Sequence, residues 1–196
     1  MSSIIKKGIV NMGKLLCVFF VFLVTITSIH ASEYDVFIGG EAGLSWADFN
    51  GPTGKYQNRE ITTYGVKGGI VNNNTRIYMS YQYLDAFEDS TTRSGEFQTL
   101  SMNTEAFTKP EDIFGLFDLM FFAGLHLGAI NVNVEANFGE SDKTAFLYGF
   151  QTGILLDFGL PVNLEAGYRY SLSTFSDVQT DLDKLQVAYG GINIKF

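Results

Sequence analysis

The chain predicts an all-β fold: an eight-stranded antiparallel up-and-down transmembrane β-barrel that follows a cleaved signal peptide. Three observations carry this reading. Segments in which apolar and polar residues alternate recur from Tyr34 to Phe196, at the period of two that belongs to strands. Aromatic residues make up 15% of the chain, with 21 glycines and only three prolines, a mixture suited to many strands joined by turns. No segment after residue 31 approaches the roughly 18 consecutive apolar residues of a membrane helix, so a helical membrane protein is excluded.

The first element is the signal. Lys6, Lys7 and Lys14 precede an apolar stretch from Leu15 to Val24, followed by small and polar residues up to Ala31. Cleavage is expected after Ala31, with a cut after Ser28 as the alternative, because Ile29 is large for its place before the site. Met12 is the alternative start. The apolar run is shorter than the about 20 residues an anchoring helix needs. Cys17 follows Leu15 and Leu16, where lipidation would require a small residue, so lipidation is rejected. It is also the only cysteine, so residues 32–196, the expected barrel domain, have no internal disulfide. Cleavage would remove three lysines and no acid, moving the formal charge from −8 to −11. An acidic balance of this size argues against nucleic acid as a partner.

Eight strand candidates then follow, near 34–48, 61–71, 76–86, 96–107, 117–131, 144–158, 162–175 and 184–196. Tight turns are expected at Asn72–Thr75 and Gly159–Pro161, with a longer link over Lys109–Gly115. Polar loops are expected at Phe49–Glu60, Phe87–Gly95, Asn133–Lys143 and Ser176–Asp183. Short turns at one end and longer loops at the other suit an up-and-down membrane barrel. An even strand number places both chain ends on the turn side.

The alternation assigns the faces. In the seventh strand Val162, Leu164, Ala166, Tyr168, Tyr170 and Leu172 alternate with Asn163, Glu165, Gly167, Arg169, Ser171 and Ser173. The first, fifth and sixth candidates repeat the pattern, and their large apolar faces carry no charge over a span that crosses a bilayer. A soluble eight-stranded barrel with its apolar face inward is the competing architecture. The polar face, however, is studded with glycine, including Gly39, Gly43, Gly124, Gly149 and Gly167, as a narrow interior requires and a solvated exterior does not. Aromatics also gather near both ends of the apolar face: Phe117, Phe158 and Phe196 toward the turns, Trp46, Tyr83, Phe146 and Tyr170 toward the loops.

The last strand, Lys184–Phe196 (KLQVAYGGINIKF), sets Ile194, Ile192, Gly190 and Ala188 against Lys195, Asn193, Gly191 and Tyr189, and closes on an aromatic. It resembles the closing strand of a bacterial outer-membrane barrel, and from Ser32 to Phe196 the chain resembles the small OmpA/OmpX-type outer-membrane barrels. The resemblance implies a monomer in the outer membrane, in contact with lipid and lipopolysaccharide. It also implies that Phe196 belongs to the signal read by the barrel-assembly machinery. The chain departs from full-length OmpA in having no peptidoglycan-binding domain after the barrel, so a wall-anchoring role is not expected.

Glu41, Lys67, Glu165 and Arg169 are the inward charges to weigh. At similar depth they neutralise one another in the lumen, which makes a structural plug, since a buried ion is costly unless paired. The alternative is a gate in which partners swap; the resemblance supports it, because OmpA-type barrels carry an inward Glu, Arg and Lys cluster. An enzyme is not expected. His126, the single histidine after residue 31, points inward with no serine beside it in the sequence, whereas an outer-membrane lipid deacylase needs an activated serine at its lipid face. No cofactor or protein-held metal is expected. The acids Glu135, Glu140, Asp142, Asp177, Asp181 and Asp183 read as solvated loop charge, with shared divalent cations as the alternative. The function expected is that of a structural or surface-interaction protein with at most a small gated pore. A small-solute porin-like channel and a loop-borne adhesin or receptor are the alternatives.

Overall fold

The computed structural model describes the backbone of residues 34–51, 54–72, 74–89, 93–136, 139–174 and 181–196, and the side chains of 34–48, 60–72, 74–85, 96–132, 144–174 and 182–196. The expected signal peptide, with Ala31, lies outside the described residues. Nine strands follow in order: β1 (Asp35–Gly51), β2 (Gly54–Val71), β3 (Thr75–Asp89), β4 (Arg93–Phe107), β5 (Glu111–Ile113), β6 (Phe117–Ala136), β7 (Gly139–Asp157), β8 (Val162–Ser173) and β9 (Asp181–Lys195).

Period-two sequence becomes a two-faced wall. On β6, Phe121, Leu125 and Leu127 are more than half exposed, while Phe122, His126 and Ile130 are buried. Ile38 and Leu44 of β1, Leu164 of β8 and Ile192 of β9 are likewise exposed, and the buried set includes Lys67, Arg76, Glu105 and Arg169. Apolar residues outside and ions inside invert the order of a soluble protein. A continuous apolar exterior of this kind is a lipid-facing surface, so the soluble-barrel alternative falls.

Every strand is antiparallel to its neighbours. β1 pairs with β9 from Phe37↔Lys195 to Asn50↔Asp181, and β4 pairs with β6 from Arg93↔Ala136 to Phe107↔Phe122. These two ladders close eight strands into a barrel with no free edge through its middle. β5, inside the link expected to be irregular, folds back on Phe117–Leu119 of β6.

The turns follow their local chemistry. Asn72 Oδ1 accepts from the backbone N–H of Asn74 and Thr75 at 2.9 and 2.7 Å, capping the β2–β3 turn. Gly159, with φ of 68°, donates to Asp157 Oδ1 at 3.0 Å and turns the chain into β8. Rings mark both rims of the apolar belt. Phe117 and Phe158 lie 5.7 Å apart at the turn end, while Tyr64 and Tyr83 lie 5.5 Å apart toward the hairpin end.

Three of the expected polar loops are strand. β1 and β2 run to Gly51 and from Gly54, β3 and β4 to Asp89 and from Arg93, and β6 and β7 to Ala136 and from Gly139. Their sequences read as loops because they have left the apolar surroundings: with both faces polar the alternation disappears while backbone pairing continues.

The barrel changes character along its length. β2 and β3 pair from Val71↔Arg76 only as far as Thr63↔Leu84, and β7 and β8 only as far as Leu147↔Ser173. Beyond those points β2 stays with β1, β3 with β4, and β7 with β6. Toward the hairpin tips, then, β2 and β3 are each paired to their other neighbour. The inward positions there carry an apolar layer that includes Ala47, Ile61, Leu84, Phe97, Ile130 and Leu185.

Candidate functional site: a charge ring in the lumen

Below the apolar layer the inward positions turn polar. Glu41 on β1, Lys67 on β2, Glu165 on β8 and Arg169 on β8 are all buried and meet one another. Arg169 Nη1 donates to Glu41 Oε1 at 3.2 Å, Lys67 Nζ lies 3.3 Å from Glu41 Oε2, and the same ammonium donates to Glu165 Oε1.

Two further ions belong to the cluster. Arg76, at the start of β3, donates through Nη1 to Glu165 Oε2 at 2.8 Å and through Nε to Glu105 Oε2 of β4 at 2.8 Å. Gln151 of β7 completes the circuit. Its Nε2 donates to Glu105 Oε1 at 2.8 Å, and its Oε1 accepts from Arg169 Nε at 2.9 Å. Tracing partner to partner gives Arg169, Glu41, Lys67, Glu165, Arg76, Glu105, Gln151 and Arg169 again. Three carboxylates and three cations form a closed ring of zero net charge.

The ring's own neighbours are polar or aromatic. Gln82 donates to Glu41 at 2.5 Å, Tyr78 to Glu105 at 2.7 Å and Asn193 to Glu165 at 2.9 Å. The Arg76 guanidinium carbon lies 5.0 Å from the Tyr78 ring and 5.2 Å from the Phe37 ring, and that of Arg169 lies 5.0 Å from Tyr189. Each ion thus exchanges water for several donors, acceptors or ring faces, the condition under which buried charge is tolerated. Gly167 makes room for Tyr189, since a Cβ there would stand 2.6 Å from its ring.

On the turn side a vestibule of about 180 Å³ leads from the barrel mouth to Arg76, between Phe37, Phe107 and Met120. Ring and apolar layer lie above it.

His126 points inward and has a partner that its sequence neighbours do not supply. Its Nε2 lies 2.9 Å from Ser171 Oγ, a serine 45 residues away in sequence that the fold brings across Gly149. Neighbouring residues in the chain gave no sign of it. The pair is buried in the lumen rather than set on the lipid face, and Nδ1 makes no hydrogen bond to a carboxylate that would orient the ring. Among the described residues no group of three or more His, Cys, Asp or Glu is placed to hold a metal ion. Of the acids expected in loops, Asp183 alone has a described side chain, and it is exposed. Phe196 is exposed, and its backbone N–H donates to Val36 O at 2.8 Å.

Fold and lumen together define a closed membrane barrel whose buried charges meet in a neutral ring. The chain has the fold of the small eight-stranded outer-membrane barrels. Neisserial surface protein A is 18% identical, with a TM-score of 0.61 over 82% of this chain and 97% of that one. Ail, the attachment invasion locus protein of Yersinia pestis, is 14% identical, with a TM-score of 0.52 over 84% of this chain and 98% of that one. Outer membrane protein H from P. aeruginosa is 24% identical, with a TM-score of 0.52 over 83% and 99%. No family model matches the sequence, and no curated protein does.

Proposed function

We propose that this chain is a monomeric integral protein of the outer membrane, with a structural or surface-interaction role and at most a small gated pore, and that it is not an enzyme. The closed ring carries this reading. Six ions paired within the lumen make a plug that ties five strands together, with Arg76 alone of the six lining the turn-side vestibule. The turns then face the periplasm, and the long hairpins stand outside in contact with lipopolysaccharide. In this reading Phe196 and β9 are recognised by the barrel-assembly machinery, and residues 1–31 are removed on export.

Planar-bilayer recording on the purified protein tests the plug: near-zero conductance is expected, and a steady open pore would favour the porin-like alternative. A second reading, a surface adhesin or receptor, draws support from the projecting hairpins. Ail, which shares the fold, is described as an attachment protein. Exchange of the hairpin tips abolishes binding to a host surface in that reading and leaves conductance unchanged.

A further inference from the structure

We propose that the turn-side rim is a one-sided lipid anchor. Phe114 and Leu116 of the β5–β6 turn, with Phe158 and Leu160 of the β7–β8 turn, sit in the phospholipid head-group layer, while the β2–β3 turn stands in water. The proposal rests on the reading of the outer face as lipid-facing and extends it to residues beyond the last strand pairs.

The β5–β6 hairpin reaches further than closing the barrel requires. The β4–β6 ladder ends at Phe107↔Phe122, yet the chain pairs again from Glu111↔Leu119 to Ile113↔Phe117 before it turns. That turn is firmly bonded. Gly115 N–H donates to Asp112 Oδ1 at 2.7 Å, and Leu116 N–H donates to Ile113 O at 3.0 Å. Phe114 is held there at φ of 57°, a left-handed backbone that suits glycine or asparagine and is unfavourable for a bulky ring. The ring is 94% exposed, and Leu116 beyond it is 71% exposed. In water the strain and the exposed ring both cost free energy, whereas an aromatic ring at a membrane interface is favoured and offsets the strain.

Continuity identifies what covers the patch. Phe117 and Phe158 stand just past the last β6–β7 pair, Asp118↔Asp157, and their rings, 5.7 Å apart, join the two turns. Leu160 is exposed beside them. Toward the bilayer the same outward face runs into Phe121 and Leu125 of the lipid-facing belt, so the patch prolongs an interface already made with lipid. Glu111 sets the depth. It is exposed on this face opposite Leu119, and charge on a barrel's outer wall is tolerated near the interface and not at the midplane, so the tip beyond it lies among head groups. The β2–β3 turn, across the barrel from the β7–β8 turn, is different: Asn72 caps the exposed, polar Asn74 and Thr75.

Trp46 is the chain's only tryptophan, so in a Trp46→Phe background a single new indole reports its own depth. Phe114→Trp, Leu160→Trp and Asn74→Trp are each made in the full chain and reconstituted in phosphatidylcholine vesicles brominated at a chosen acyl depth, with iodide on both sides. The unboiled gel shift confirms a folded barrel, and Leu116→Trp replaces Phe114→Trp if the latter does not fold. Indoles at 114 and 160 should be quenched by bromine close to the head group, and about threefold less by iodide than the indole at 74. An indole at 114 as open to iodide as that at 74 overturns the anchor and leaves the tip to a protein partner. Equal protection of all three overturns its one-sidedness. Leu125→Trp judges the underlying reading: deep-bromine quenching at 125 with none at 114 removes the anchor alone, whereas no quenching at 125 removes the lipid face itself.

Discussion

Arg76 Nη1 donates to Glu165 Oε2 at 2.8 Å, joining β3 to β8, which stand four strands apart on opposite walls of the eight-stranded barrel. This contact makes the charge cluster a strut across the lumen instead of a patch on one wall. Replacing Arg76 by Gln leaves Glu105 and Glu165 without their shared cation. The loss expected is about 3–5 kcal/mol, the penalty for an ion left uncompensated in the interior. Denaturant unfolding from detergent measures it, and a loss near zero would show that the strut is solvated.

The lipid face gives a second expectation. Leu164 is exposed on β8 and Leu125 on β6, both within the apolar belt. An arginine at either position should weaken insertion by about 2–4 kcal/mol if it lies near the midplane, and by less toward the rims. Partitioning between vesicles and denaturant reads this out. Equal insertion of parent and variants would reverse the two faces.

The four ions Glu41, Lys67, Glu165 and Arg169 were legible in the sequence because each interrupts a small-residue face opposite a run of large apolar residues. Arg76 and Glu105 were not. Each stands close to the turn end of its strand, where a charge reads as a solvated rim residue. Only the tight turn at Asn72–Thr75, by fixing Val71 opposite Arg76, sets that side chain inside. The period-two run Arg76, Tyr78, Ser80, Gln82 against Ile77, Met79, Tyr81, Tyr83 held the missing signal. Strand extension into the hairpins left no trace, since backbone pairing in water places no demand on side-chain polarity. The Ser171 partner of His126 depends on register across three strands, which local pattern does not specify.

Gly149 tests that register directly. A Cβ there would approach both His126 Cε1 and Ser171 Cα to 2.9 Å. Gly149→Val should separate the His126–Ser171 pair and destabilise the barrel by about 1–3 kcal/mol, the cost of overpacking an unyielding interior. The melting temperature, together with the imidazole signals of the single described histidine, follows the change.

Phe196 gives a kinetic expectation. Its ring is exposed at the turn-end rim, so its removal takes little packing from the finished barrel. If the aromatic is read during assembly, a chain ending at Lys195 assembles slowly in cells and, once purified, melts close to the parent. Pulse-chase of the heat-modifiable form separates the two effects. Equal assembly rates would dissociate Phe196 from recognition.

The β1–β9 ladder also bears on the order of events in folding. It joins residues about 150 positions apart, so the barrel's last seam forms only after the longest loop in the chain has closed, and its entropic cost falls on that single step. Once formed, the seam is indistinguishable in kind from the other ladders, and the barrel's first and last strands meet at Val36 and Phe196. The covalent break between them is therefore an accident of synthesis, not of architecture. A circular permutant that joins these ends and opens at Asn72–Thr75 keeps every ladder and the whole ring, and moves the final step of closure to β2 and β3.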